Sequence, residues 1–455
     1  MQGRQAIGSV GTLAAFVCRT HVRKPDGRET RRRGMKRMRY RSLGWIAVLA
    51  LVGACATGAT TTTTAGTTTT GAAPTTTEAE TTTTEPVSTE PIMIGTLTDL
   101  TGFTPWGVQV RDGMLLAAQE INDAGGVGGR MIEIVIQDSE NDADAGITGF
   151  ERLVEDGVVA IGGVISSTVG AAVSPLAEEL QMPTFLVKSG TQVALTRDSR
   201  FMFRTCLPAA PMDAVPVLQY AQAQGLTRVG AIVADYAWGQ AFKAAMESTF
   251  EGSGVEYQIE VAPVPPDTDF TPYVRAMADF DAEMIVATGH PPGNAQIVSL
   301  SADLHDVPVT GAWTPPNLVV GGLAEVAVGR YADFSCADYF SDGYQDLAAR
   351  YLAFSDNEFM SDDAVAGFGI VTMVAEAVEA VGDDPVAIAQ YLHDNSFELE
   401  GYAHTMSWTE WGELAESRPI FTLINAGPAP EGINEAGDWW FDLLVHADPL
   451  VPYEP

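Results

Sequence analysis

Two hydroxyls stand side by side at Ser166-Ser167, between the apolar run VVAIGG (158–163) and a stripe of apolar residues at helical spacing. A hydroxyl pair beside the unpaired N–H groups of a helix start makes a cradle for a carboxylate or carbonyl oxygen. Ser167 would serve equally well as a plain N-cap, and the residue types alone leave both roles open. Ser189-Gly190-Thr191 follow the apolar run TFLV (184–187) in the same manner. Covalent chemistry has far less to work with. The chain holds no GxSxG elbow, no HExxH and no GxxxxGK[ST], and its histidines, at 21, 290, 305, 393, 404 and 446, lack metal-ligand spacing. No catalytic residue, metal site or cofactor is expected, and a secreted enzyme is the weakest functional class. The acid pairs Asp362-Asp363 and Asp383-Asp384 are expected to be solvated faces and helix caps.

The elements that must position these groups follow from changes of period. IMIGTLTD (92–99) reads as a strand, and Val110, Met114, Ala117, Ala118 and Ile121 then mark one helix face. MIEIVIQD (131–138) is the next strand, with a helix through Ile147, Phe150, Leu153 and Val154. After VVAIGG, the positions Val169, Ala172, Val173, Leu176, Ala177 and Leu180 fit a third helix. The alternation restarts after Pro208. Helices over 212–224, 238–250, 270–279 and 293–304 are interleaved with strands RVGAIVA, VEYQIEVA, EMIVATG and VPVTG. Two successive βαβα arrays predict an α/β fold with two doubly wound parallel-sheet lobes. Ligands of such sheets sit beyond the carboxyl ends of the strands, so the cleft between the lobes is the expected site. GGVGG at 125–129 joins a helix to a strand and is a turn, not a phosphate loop.

Charge divides the chain. Residues 1–55 carry 12 Lys and Arg against two acids, whereas the remaining 400 residues carry 13 basic and 57 acidic groups. A body that acidic is repelled by phosphates, which excludes nucleic acid as a partner. Only Lys188 and Lys243 remain as lysines beyond residue 55. The basic head precedes the apolar run LGWIAVLALVGA, too short for a comfortable membrane span and ending in small residues, as an export signal does. Val52-Gly53-Ala54-Cys55 resembles a bacterial lipobox, so Cys55 is the expected lipidation site and membrane anchor, with residues 1–34 an upstream extension. Residues 57–90 hold 18 Thr in 34 positions and cannot form a core, so 56–90 is expected to be a disordered tether.

The segment GTLTDLTGFTPWGVQVRDGMLLAAQEINDAGGVGGR, with IQD (136–138), IGGVISSTVGAAVSPLAEELQMPTF, FMFRT (201–205) and ADYAWGQAF (234–242), resembles the type I periplasmic binding proteins of the branched-chain amino-acid receptor family. The resemblance runs from about residue 92 to about 425. It implies an extracytoplasmic protein that binds a small solute between two lobes joined by hinge strands and delivers it to an ABC transporter permease. A sensor of the same fold, presenting its ligand to a receptor, is the alternative. It also implies a chain that crosses the hinge at 203–205, near Phe334–Tyr339 and near Phe397–His404. The lobes would then comprise 91–204 with 337–398, and 205–336 with 399–455.

Aligned on that family, Ser166 matches the serine that holds the ligand carboxylate, and the resemblance implies that Ser189 offers its backbone and Thr191 its hydroxyl to the same group. Trp106 falls where the family carries an aromatic over the ligand. Tyr236 and Trp238 lie on the second lobe, Trp238 standing where the family often has tyrosine, and His290 sits near another family tyrosine. Amino-acid receptors of the family hold the ligand ammonium with an acid after the VTG strand, but here that position is Trp313. This departure favours an apolar or aromatic carboxylate or amide, leaves room for an aromatic cage around a quaternary ammonium, and leaves Asp235 as a substitute acid for an amino acid. With Cys55 assigned to lipid and Cys18 upstream, Cys206 and Cys336 remain. The implied hinge strands run side by side, and the two cysteines are expected to form a disulfide there.

Overall fold

A computed structural model describes residues 90–455 except 103–105, 265–267, 288–290 and 312, together with the side chains of 291–292 and 322–325. The expected export signal, Cys55, the Thr-rich tether and His290 lie outside the described residues.

The first lobe opens with strand β1 (Ile92–Thr98), helix α1 (Gly107–Asp123), β2 (Ile132–Asp138), α2 (Ala143–Glu155), β3 (Ala160–Val164), α3 (Ser167–Leu180), β4 (Thr184–Leu186) and β5 (Met202–Arg204). The five strands form one parallel sheet in the order β2-β1-β3-β4-β5. The expected turn at 125–129 is present, with Gly125, Gly126, Gly128 and Gly129 all at positive φ between α1 and β2.

The second lobe follows with α4 (Ala210–Ala223), β6 (Arg228–Ala234), α5 (Ala237–Phe250), β7 (Glu256–Ala262), α6 (Thr271–Asp279), β8 (Met284–Ala287), α7 (Pro291–Leu304), β9 (Val309–Thr310), α8 (Pro316–Ala327) and β10 (Tyr331–Ser335). Helices α9 (Asp342–Phe354), α10 (Asp362–Val381) and α11 (Pro385–Asp394) then return to the first lobe, and β11 (Ile420–Ala426) and β12 (Trp439–His446) complete the second sheet. Its order is β12-β11-β10-β9-β8-β6-β7. The strands from β6 to β10 are parallel, and β11 and β12 add an antiparallel edge. The connection between β11 and β12 holds no helix and turns the chain straight back, which gives the antiparallel pairing.

Helix α10 closes the first lobe by lying along α1. The approach is close because a glycine faces backbone on each side: a Cβ at Gly113 would strike Ala364, and one at Gly367 would strike Val110. α10 is long and apolar enough to cross a membrane, yet most of it is buried inside this lobe. Three passages of chain run side by side between the sheets. Arg204 N–H donates to Gly412 O, Ala403 N–H donates to Cys336 O, and Ala337 bridges to Tyr402. Cys206 and Cys336 form a disulfide across two of these passages, with Cα atoms 5.2 Å apart.

Candidate functional site

The expected hydroxyl cradle lies at the end of β3. Ser166 is the N-cap of α3, its backbone extended so that its oxygen faces the N–H of Val169. Its hydroxyl donates to Asn141 Oδ1 at 3.0 Å, and Asn141 in turn donates to Asp99 Oδ2 at 3.0 Å. Burial pushes the Asp99 carboxyl up to about 7, with a hydrogen bond from Ser139 opposing. Tyr236, from the second lobe, lies close enough to feel that charge, and burial followed by Asp99 raises its phenol. Ser167 Oγ accepts from the Thr191 N–H at 3.3 Å, which ties the loop after β4 to the start of α3.

A buried pair holds that loop from beneath. Arg204 donates to Glu413 at 2.9 Å, to Thr191 O at 2.7 Å and to Ser189 O. Burial raises the Glu413 carboxyl, and the Arg204 charge offsets part of that. The Ser189 hydroxyl faces the Cα of Gly170, where it has no hydrogen-bond partner among the described residues.

The facing wall is aromatic. Trp238, at the start of α5, packs on Phe242 with ring centroids 5.7 Å apart. Trp313 follows β9 at a φ of 75°, a left-handed conformation that a bulky residue adopts only when its surroundings enforce it. Three contacts do so. Its N–H donates to Asp333 Oδ1 at 2.6 Å, its indole N–H donates to Asp213, and its ring stacks on Phe334. Burial lifts Asp333 to about 8 and Asp213 to about 7, in both cases against the bonds from these groups.

Lys188, at the end of β4, is a part of the site that local sequence did not assign. Its ammonium is buried, 2.9 Å from Asp362 Oδ1, 3.2 Å from Asp363 Oδ1 and 2.9 Å from Trp313 O, and it lies 5.5 Å from the Trp106 ring centre. Burial would lower its affinity for a proton, but Asp362 and Asp363 outweigh this and raise it. The expectation that Asp362-Asp363 is a solvated face is therefore corrected: both are buried at the start of α10, where Lys188 forms ion pairs with them. Asp384 does cap a helix, accepting from Ala387 N–H. Asp235 is exposed and accepts from Gln240, so it does not stand in for an acid in the cleft.

Trp106, Ser166, Ser167, Tyr236, Trp238 and Trp313 thus line one cavity, joined there by Asn141, Ile165, Lys188 and Leu207. Ser189 and Thr191 sit behind its wall. The cavity has about 20 Å³ of space, enough for roughly one water-sized molecule. A larger solute does not fit the cavity at this size.

A family model described as periplasmic binding protein matches residues 91–423. The chain belongs to that family. Among relatives, the Leu/Ile/Val-binding protein homolog 3 of Brucella melitensis is 25% identical over 350 residues, covering 73% of this chain and 90% of the relative. An ABC-transporter solute-binding protein from R. palustris, solved with benzoate, superposes with a TM-score of 0.67 at 18% identity, covering 80% of this chain and 98% of that one. A leucine-binding protein from Thermotoga maritima gives 0.66 at 17% identity, covering 79% and 99%. The relatives are substrate-binding proteins rather than enzymes, and membership carries an extracytoplasmic location. This periplasmic binding protein has the family's α/β fold, with its cleft between two lobes.

Proposed function

We propose that the protein captures a small solute with a carboxylate or amide head and an apolar or aromatic body, and hands it to an ABC importer. In this reading Cys55 carries a lipid, the Thr-rich segment is a leash, and the lobes comprise 91–204 with 337–398 and 205–336 with 399–455. One observation carries the ligand assignment: the hydroxyls at the start of α3 face Trp238 and Trp313 across one cavity. An oxygen of the head group would meet Ser166, Ser167 and the N–H groups of α3, where a helix terminus favours negative charge. The indoles would cover the apolar body. The relatives support this range of chemistry, since their named ligands include leucine and benzoate.

Calorimetric titration of the purified protein tests it. Benzoate or a branched carboxylate should bind with one site per chain while glycine is inert. Tight glycine binding with the bulky acids silent would overturn the assignment. For the anchor, Cys55→Ser should release the protein from the membrane fraction into the soluble extracytoplasmic fraction.

A further inference from the structure

The cavity has a charge character of its own. Among the described residues that line it, Lys188 is the one charged side chain, and no carboxylate is among them. The acids nearby are withdrawn behind the wall. Asp362 is bonded to Lys188 with Asp363 ion-paired beside it, Asp213 holds the Trp313 indole, and Asp333 holds Trp313 N–H and the Tyr331 hydroxyl. The ammonium of Lys188 donates to Asp362, stands 3.2 Å from Asp363 as its ion-pair partner, and donates to the Trp313 carbonyl. The first two belong to its own lobe and the third to the opposite lobe. The protein therefore carries a built-in ammonium at the meeting point of the lobes, already hydrogen-bonded to both.

We infer that Lys188 makes the cleft selective for carboxylates that lack an amino group, by holding with its own ammonium the acids that a ligand ammonium would need. This rests on the carboxylate-binding reading above. An amine-free acid places its carboxylate on the Ser166–Ser167 side and its carbon body among Trp106, Trp238 and Trp313. An α-amino acid brings a second cation into a closed, nearly dry space. It finds no free carboxylate there, and burying a charge without a partner is costly. Lys188 also bonds Trp313 O across the lobes, so closure draws on a contact inside the protein rather than one made by a ligand amine.

The test compares acids matched in shape, leucine with 4-methylpentanoate and phenylalanine with 3-phenylpropanoate, by titration calorimetry on the full protein. The wild type should bind the amine-free member of a pair at least tenfold more tightly. Lys188→Met uncovers Asp362 and Asp363 and should shrink or reverse that ratio. If that variant does not fold, the wild-type ratio alone decides. Equal or tighter binding of the amino acid by the wild type overturns the selectivity and leaves the solute-binding reading intact. Binding of neither member of either pair, by protein that melts cooperatively, overturns both.

Discussion

Single residues divide into those with a local signature and those without. Ser166 was legible because a hydroxyl ahead of a helical stripe is a local pattern. Its substitution Ser166→Ala should weaken binding of the preferred acid by about 1.5–3 kcal/mol if it holds a charged oxygen. The melting temperature should change little, since its cap contact to Val169 N–H is long at 3.5 Å. Unchanged affinity in a calorimetric titration would remove Ser166 from the site. Lys188 was conspicuous only as one of two lysines beyond residue 55. Its inward turn depends on Asp362, 174 residues further on, which no local pattern encodes. The same distance explains Asp362-Asp363, whose local context reads as a capped helix start in water. The buried acids have a joint consequence for pH. Asp99, Asp213 and Asp363 are raised to about 7 and Asp333 to about 8, chiefly by burial. A raised carboxyl binds its proton more tightly when folded, so its contribution is full below the ordinary carboxylate range and is lost as pH rises through 7 and 8. Lys188 does not titrate in that interval. The neutral, buried His404, lowered to about 4, affects only the acid side. The melting temperature should therefore fall by a few degrees from pH 6.5 to pH 8.5, and Asp213→Asn should make the fall smaller. A flat profile in scanning calorimetry would contradict this.

Among elements, the strands and helices through β9 were readable because each carries its own period, two residues or 3.6, except the three-residue β5, whose segment was read only as a hinge crossing implied by the family resemblance. Strands β11 and β12 were not anticipated, since β11 pairs with β10, which is distant in sequence, β12 pairs with β11 alone, and a run such as WWFDLLVH lacks clean alternation. The loop from Ser189 to Thr191 shows how elements from both lobes determine one another. Gly190 packs where a Cβ would overlap Leu207 and the Trp238 ring of α5. Gly190→Ala should keep each lobe folded but hold α5 away from the α3 start. Affinity should drop by tenfold or more with little change in circular dichroism. Affinity equal to wild type would mean that the lobes tolerate a wider gap than the packing implies.

For the whole molecule, the hinge is the governing feature. Cys206 and Cys336 close a loop of 130 residues, and chain-entropy arguments put the stabilisation at roughly 5 kcal/mol at most. Reduction under mild denaturant should lower the melting temperature markedly, and the double variant Cys206→Ala/Cys336→Ala should lose that sensitivity to reductant. Identical melting curves with and without reductant would show that the bond contributes little. The packing of α10 on α1 has a different kind of consequence, for biogenesis. About 240 residues separate the two faces, so the first lobe has an open flank until α10 has left the ribosome. Contacts of such long sequence separation form slowly, and the waiting intermediate exposes apolar surface. The first lobe should therefore stay incompletely packed until α10 has been made, a state that suits passage through a narrow membrane channel, and proteolysis of chains halted before residue 362 should cut it faster than the finished lobe.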